Sequence, residues 1–175
     1  MKHHSTYLEN STLALATLVT GIMAGFFYTY SINVNLAMLE VSGETYAVVQ
    51  SLFNENVRHL LFFVFFFGGG ATAGLAALAN WRQYRHASFW LIVLAGLLYV
   101  FGVIVFTANV NLPLNAYTES WDPQNLPADW SQTRLAWNRA NAFRVFTSGV
   151  AFTLYIVALV IRASNSPAGS RKNHS

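Results

Sequence analysis

The chain has 175 residues, of which 54% are hydrophobic and only 10% are charged, and its formal net charge is +3. Charged residues make up roughly 25% of an average soluble domain, so this composition argues for a membrane protein and against a soluble one. We explain the excess of basic residues by membrane topology and expect no nucleic-acid binding. Because the chain has no cysteine, it can form neither a disulfide nor a thiolate metal site.

Stretches without charged side chains define the predicted elements. There are four of them: Asn10–Leu39, His59–Trp81, His86–Thr118 and Val145–Ile161. Crossing the hydrocarbon takes roughly 20 residues, and none of the stretches alternates as a barrel strand would. We therefore predict an all-α fold: a four-helix transmembrane bundle with a long outer loop between helices 3 and 4. Residues 1–163 form its single domain, and residues 164–175 form a polar tail that we expect to be disordered. We interpret the first stretch as a retained helix, because it is too long for a signal peptide.

Basic residues near the membrane ends indicate the orientation. One side has six of them, Lys2, Arg82, Arg85, Arg162, Arg171 and Lys172, and the other has four, Arg58, Arg134, Arg139 and Arg144. The positive-inside rule then places both termini in the cytoplasm and the protein in the plasma, or inner, membrane.

Polar side chains are predicted to converge at the outer interface. Counting about 20 residues along each span places Asn33, Asn111, His59 and Arg144 at one depth. Gln50, Asn54 and Arg58 recur every four residues, and Trp130, Arg134, Trp137, Asn141 and Arg144 recur at steps of four and three, so each set would share one helix face.

Pro113 is predicted to end the third helix at about Asn111 or Leu112, because proline lacks an N–H and disfavours helical geometry in the preceding residue. The amides of Asn111 and Asn115 would then supply hydrogen bonds to the last carbonyls of that helix. This is a purely structural explanation of those two residues.

Two motifs resemble those of a known family. Thr107, Asn111, Pro113 and Asn115 match T-x-x-x-N-x-P-x-N, and the stripe from Trp130 to Arg144 matches W-x-x-x-R-x-x-W-x-x-x-N-x-x-R. GIMAGFF from Gly21 and VVQSLFNENV from Val48 also resemble segments of the anthrone oxygenase-like family, and the likeness extends to Tyr155. The resemblance implies a four-helix membrane protein. It also implies the reaction of the named members, which oxidise an anthrone to an anthraquinone with molecular oxygen and without a metal or flavin, although most bacterial relatives have no assigned reaction.

The first functional hypothesis is a cofactor-independent oxygenase with no metal site, whose partners are the lipid bilayer, a hydrophobic aromatic molecule and oxygen. His59 would be the base, and Arg144 and Arg134 would stabilise the substrate anion. The expected substrate-binding residues are Asn33, Gln50, Asn54, Asn111, Asn115, Trp137 and Asn141. Whether the protein forms a homo-oligomer is left open.

The alternative hypothesis is a non-catalytic binding protein or accessory subunit, in which the same polar residues clamp the outer loop. His59 would then be a surface residue, and Trp130 and Trp137 would form an aromatic belt. Arg134 and Arg144 would pair with Glu55, Glu119, Asp122 or Asp129. A transporter ranks last, because the spans contain no Asp, Glu or Lys. A concave, partly apolar pocket would favour a ligand site, and mutual hydrogen bonding would favour a clamp.

Overall fold

The computed structural model describes residues 2–164, with side chains from Tyr7 onward. This part of the chain is helical and contains no strand, which confirms the predicted fold class. The predicted tail lies outside the described residues except for Ser164. The α-helices are α1 (Lys2–Thr29), α2 (Asn35–Leu39), α3 (Gly43–Asn56), α4 (Leu60–Ala79), α5 (Ala87–Tyr99), α6 (Leu112–Glu119) and α7 (Trp130–Ser164).

Short π-helical segments join several of these helices into longer ones. Tyr30–Val34 links α1 to α2, and Val100–Val105 and Thr107–Asn111 link α5 to α6. Four continuous helices are therefore long and apolar enough to cross a membrane, and they match the four predicted spans. We call them the first to fourth membrane helices: Tyr7–Leu39, Leu60–Ala79, Ala87–Glu119 and Trp130–Ser164.

The membrane helices form a ring in which each packs against the next in the order first, second, third, fourth and back to the first. Their shared core combines small residues with a few large ones, since small side chains allow close helix packing in membranes. Phe27, Phe66, Tyr99 and Tyr155 are the largest aromatic residues in this core, and Ala73, Ala76, Ala95, Ala151 and Ala158 fill the close contacts.

The helices differ in length, and this shapes one end of the bundle. The second membrane helix has 20 residues and spans about 30 Å, whereas the fourth has 35 residues and spans about 52 Å. The longer helices therefore extend past the start of α4, and α3 packs on α6 at that end. A second core of Met38, Tyr46, Ala47 and Trp121 lies there too. We call it the α3 end.

The opposite end, which contains the tight turn Trp81–His86, is the hairpin end. Here the Glu9 carboxylate accepts hydrogen bonds from Arg162 at 2.7 Å and Gln83 at 3.2 Å. The Asn80 amide donates to the Glu9 backbone carbonyl at 3.2 Å. One buried acid thus links the first, second and fourth membrane helices and the turn.

Pro113 does not end the third helix, so that prediction was wrong. The helix continues to Glu119, and only residues 120–129 of the connection to α7 are non-helical. The π-helical segment directly before Pro113 explains the difference: the Leu112 N–H already bonds to the Thr107 carbonyl five residues back, and this wider turn accommodates a residue without an N–H. Asn109, rather than Asn111 or Asn115, donates its amide to a helix carbonyl, that of Val105 at 2.8 Å.

Candidate functional site

A cavity of about 310 Å³ lies at the α3 end, between α1, α3, α4, α6 and α7. Aromatic and aliphatic side chains form most of its wall. They come from Phe26, Phe27, Tyr30, Phe53, Val57, Phe62 and Trp137. The polar groups come from Asn54, Asn56, His59, Asn115, Asn141 and Arg144. A concave apolar wall with a few polar groups is the usual form of a small-molecule site.

Among these lining residues, Arg144 is the one with a permanently charged side chain. Its side chain is only 8% exposed, and its Nη2 donates to Asn141 Oδ1 at 2.7 Å. Nη1 lies 3.4 Å from Thr107 Oγ1, and the guanidinium carbon lies 4.6 Å from the ring centre of Phe27 and 5.8 Å from that of Trp137. The predicted pairing of Arg144 with acidic residues is not found among the side chains described from Tyr7 onward, where the ion pairs are Arg58–Glu119 and Arg162–Glu9.

Asn141 fixes this guanidinium in place. Its Nδ2 donates to the Phe27 carbonyl at 3.2 Å and to Ser31 Oγ at 2.8 Å, which leaves Oδ1 for Arg144. The side chain is 1% exposed, so each of these bonds is shielded from water. Asn141 therefore positions the arginine against the first membrane helix.

Asn115 presents a hydrogen-bond donor to the cavity. Trp137 Nε1 donates to Asn115 Oδ1 at 2.7 Å. Since an indole N–H can only donate, the oxygen of this amide must face Trp137, and Nδ2 remains as the group available to a ligand. Trp137 is 5% exposed, so it is a buried wall residue and does not belong to an aromatic belt.

His59 lines the cavity, but its geometry differs from that of a poised base. It is the N-cap of α4, where its Nδ1 accepts from the Phe62 N–H at 3.3 Å. A neutral imidazole that accepts at Nδ1 holds its proton on Nε2. In this arrangement the Nε2–H group of His59 is a hydrogen-bond donor. For Nδ1 to accept a proton, it would first have to break its hydrogen bond with the Phe62 N–H. Among the side chains that the structure describes, from Tyr7 to Ser164, no group of three His, Asp or Glu could hold a metal ion.

Other predicted site residues lie around the cavity rather than on it. Gln50 is 1% exposed, does not line the cavity, and bonds to two residues that do, Tyr30 and Asn54. Asn111 is also 1% exposed, and neither of its amide atoms has a hydrogen-bond partner in the described part of the chain. It is four residues from both Thr107 and Asn115, which contact α7.

Arg134 lies in the second core, away from the cavity. Its Nη1 donates to the Met38 carbonyl at 3.1 Å, and its guanidinium lies over the rings of Trp130 and Tyr46. Burial raises the pKa of the Tyr46 hydroxyl, Tyr30 adds to that rise, and Arg134 opposes it. Arg134 therefore packs within the second core at the α3 end and does not line the cavity.

Asn33 does not line the cavity, contrary to the sequence-based expectation. Its side chain is exposed, and the buried amide on this turn is Asn35, which is 6% exposed. Asn33 was placed by its depth along the span, which does not determine the face of the helix, and the π-helical segment Tyr30–Val34 changes the register at this point. Arg58 also lies past the end of α3, exposed, and pairs with Glu119.

Sequence reasoning missed the aromatic wall contributed by the first membrane helix. Phe26, Phe27 and Tyr30 line the cavity, and the Tyr30 ring packs against Trp137 with ring centres 5.0 Å apart. Their spacing of three and four residues was the available signal, because it places aromatic side chains on one face just before the amides.

Comparison with known protein families gives a match. The family model described as anthrone oxygenase matches residues 57–154, which is more than half of the chain. No curated protein and no solved structure matches the chain. The matched range contains α4 to most of α7, and it therefore includes His59, Asn115, Trp137, Asn141 and Arg144 of the cavity wall.

Proposed function

Because the chain belongs to the anthrone oxygenase family, we propose that it is a membrane-embedded oxygenase acting on a flat, hydrophobic phenolic or anthrone-like substrate. The main supporting observation is the buried Arg144 guanidinium on the wall of an aromatic cavity, without an acidic partner in the described part of the chain. A buried charge is costly unless it is paired, so this position favours a ligand that is anionic or becomes so during reaction.

The chemistry proposed for this site begins with loss of a proton from the methylene group of the substrate. The resulting anion places negative charge on the ketone oxygen, and the Arg144 guanidinium and Asn115 Nδ2 would stabilise that charge. The carbanion carbon then donates electrons to O₂ and forms a C–O bond, which gives a hydroperoxide once a proton returns. Loss of the remaining C–H proton with cleavage of the O–O bond yields the second carbonyl and water. The balance is R₂CH₂ + O₂ → R₂C=O + H₂O, and the substrate supplies all the electrons.

The proton acceptor in the first step is His59 or water. No Asp or Glu lines the cavity formed by the described residues, so a carboxylate on its wall does not fill this role. The positive charge of Arg144 favours the ionised substrate and thereby eases transfer to a weak acceptor. In this proposal His59 acts as a base only if Nδ1 leaves the Phe62 N–H.

A non-catalytic binding role is the second candidate, and specific contacts favour it. Trp137 bonds to Asn115, Asn141 bonds to Ser31, and Arg134 bonds to Met38, so several of the polar residues hold helices together. Such bonds are expected in a clamp. They also preorganise a site, and only a measured reaction separates the two roles.

Oxygen uptake tests the proposal. Purified protein in detergent is supplied with anthrone, spontaneous oxidation is subtracted, and the quinone formed is compared with the O₂ consumed. We expect one quinone per O₂, and we expect Arg144→Ala to lower the rate about 100-fold, as loss of an oxyanion donor does in other enzymes.

Arg139→Ala is the matched control, because Arg139 is an exposed arginine of the same helix that does not line the cavity. It should leave the rate unchanged. If anthrone binds but uptake stays at background, the binding role is favoured. If Arg144→Ala folds and retains full activity, the proposed site is wrong.

A further inference from the structure

The hydrogen-bond direction of one buried side-chain network determines what Tyr30 can do in the cavity. Tyr30 Oη lies 3.1 Å from Gln50 Oε1, and Gln50 Nε2 lies 3.0 Å from Asn54 Oδ1. Asn54 Nδ2 lies 3.4 Å from Thr118 Oγ1, and that hydroxyl lies 3.0 Å from the Asn115 backbone carbonyl. The network thus connects the first membrane helix to α6 through α3.

The end of the network at α6 sets its direction. A backbone carbonyl can only accept, so Thr118 must donate its one proton to Asn115. Its oxygen is then the acceptor for Asn54, and Asn54 must present its NH₂ group there. This places the Asn54 oxygen toward Gln50, and Gln50 must in turn present its oxygen to Tyr30. The orientations of both amide groups therefore follow from this sequence of bonds.

Burial keeps the network in this state. Gln50, Asn54 and Thr118 are 1%, 3% and 0% exposed, so water does not compete for these bonds. Reversing any one bond would leave a buried donor facing a donor or an acceptor facing an acceptor, which costs free energy. The Tyr30 hydroxyl therefore donates its proton to Gln50 Oε1, and its oxygen stays available as an acceptor.

We infer that Tyr30 is a specificity-determining residue whose hydroxyl oxygen accepts a hydrogen bond from a hydroxyl group of the ligand. Tyr30 lines the same cavity as Arg144 and Asn115, which are donors. A ligand that satisfies all three has a carbonyl or anionic oxygen for the donors and a separate hydroxyl for Tyr30. The inference rests on the proposed function, because it requires an aromatic ligand in this cavity.

Binding of two matched probes tests the assignment. 2-Hydroxyanthraquinone and 2-methoxyanthraquinone have nearly the same ring system, but only the first can donate from its substituent. Their affinities for the full-length protein in detergent would be measured by quenching of tryptophan fluorescence, at a mildly acidic pH where the phenol keeps its proton. We expect wild type to prefer the hydroxy compound by roughly 3- to 10-fold, the range of one neutral hydrogen bond.

Variants separate the oxygen of Tyr30 from its ring. Tyr30→Phe removes the acceptor and should abolish the preference, whereas Tyr28→Phe, an exposed tyrosine of the same helix, should retain it. Gln50→Leu frees the Tyr30 proton for donation to the methoxy oxygen, so it should also reduce the preference. Retention of the wild-type preference in either Tyr30→Phe or Gln50→Leu overturns the inference. Binding of neither probe to wild type is a different result, because it overturns the proposed aromatic ligand itself.

Discussion

Arg144 is a cation in a membrane helix, and among the described side chains its contacts are with neutral groups. Asn141 Oδ1 and Thr107 Oγ1 each accept from it, and the faces of Phe27 and Trp137 lie next to its planar group. Arginine suits such a place better than lysine, because its charge is delocalised, it is less strongly hydrated and it stacks on aromatic rings. The shape of the group therefore matters as well as its charge.

We predict that Arg144→Lys lowers kcat/KM for oxygen uptake about tenfold or more. Lysine keeps the positive charge but cannot bond to Asn141 and a ligand in one plane, and a hydrogen bond to a charged group is worth about 1.5–3 kcal/mol. Steady-state kinetics with anthrone would give the value, with Arg139→Lys as the control. Full activity in Arg144→Lys would mean that charge alone is sufficient.

At the scale of elements, the π-helical segments explain which predictions succeeded. The stripe on α7 was predicted from steps of four and three residues, and α7 is a regular α-helix in which Trp137, Asn141 and Arg144 are all buried. The end of the third helix was predicted from Pro113, and Asn33 was placed by counting about 20 residues along its span. Both lie at or beyond π-helical turns. Single-sequence periodicity does not reveal where a helix widens.

Contacts between elements were also beyond the sequence. The bond between Trp137 and Asn115 joins residues 22 positions apart, and that between Asn141 and Ser31 joins residues 110 positions apart. The sequence placed Asn33, Asn111, His59 and Arg144 at one depth, because depth follows from helix length. It did not show which pairs meet, because that depends on how neighbouring helices are rotated.

Helix packing at Gly69 gives a prediction about stability. A Cβ added there would overlap the ring of Tyr99, which is fully buried and donates its hydroxyl to the Phe66 carbonyl at 3.0 Å. We expect Gly69→Ala to lower the free energy of unfolding by about 1–3 kcal/mol, the usual cost of overpacking a core. Thermal unfolding of the purified protein in detergent would measure the loss.

Gly74→Ala is the control for that experiment, since Gly74 belongs to the same α4 helix and has nothing within 4 Å of an added Cβ. Replacement there removes a glycine from a helix without a clash and should leave stability equal or slightly higher. Equal losses in the two variants would show that the second membrane helix tolerates no added methyl group, and the specific role of the Tyr99 contact would be rejected.

At the scale of the whole molecule, the two ends of the bundle have different chemistry. The hairpin end has Glu9 and Arg162 in an ion pair at 2.7 Å, next to the short turn with Arg82 and Arg85. The α3 end has the second core and the cavity. Because α4 begins at Leu60 and is about as long as the hydrocarbon is thick, we expect the cavity near His59 to lie close to the membrane boundary. Under the proposed function, a hydrophobic substrate dissolved in the bilayer would then reach the cavity without crossing water.

We predict that the hairpin end faces the cytoplasm, because the positive-inside rule assigns the side with more Lys and Arg near the membrane ends to that compartment. The chain has no cysteine, so a single introduced one reports its own location. Ala128→Cys, exposed in the connection at the α3 end, should react with a membrane-impermeant maleimide in intact cells. His86→Cys, exposed at the hairpin end, should react only after the cells are permeabilised. The reverse labelling pattern would invert the orientation, and it would place the cavity on the cytoplasmic side without changing the site itself.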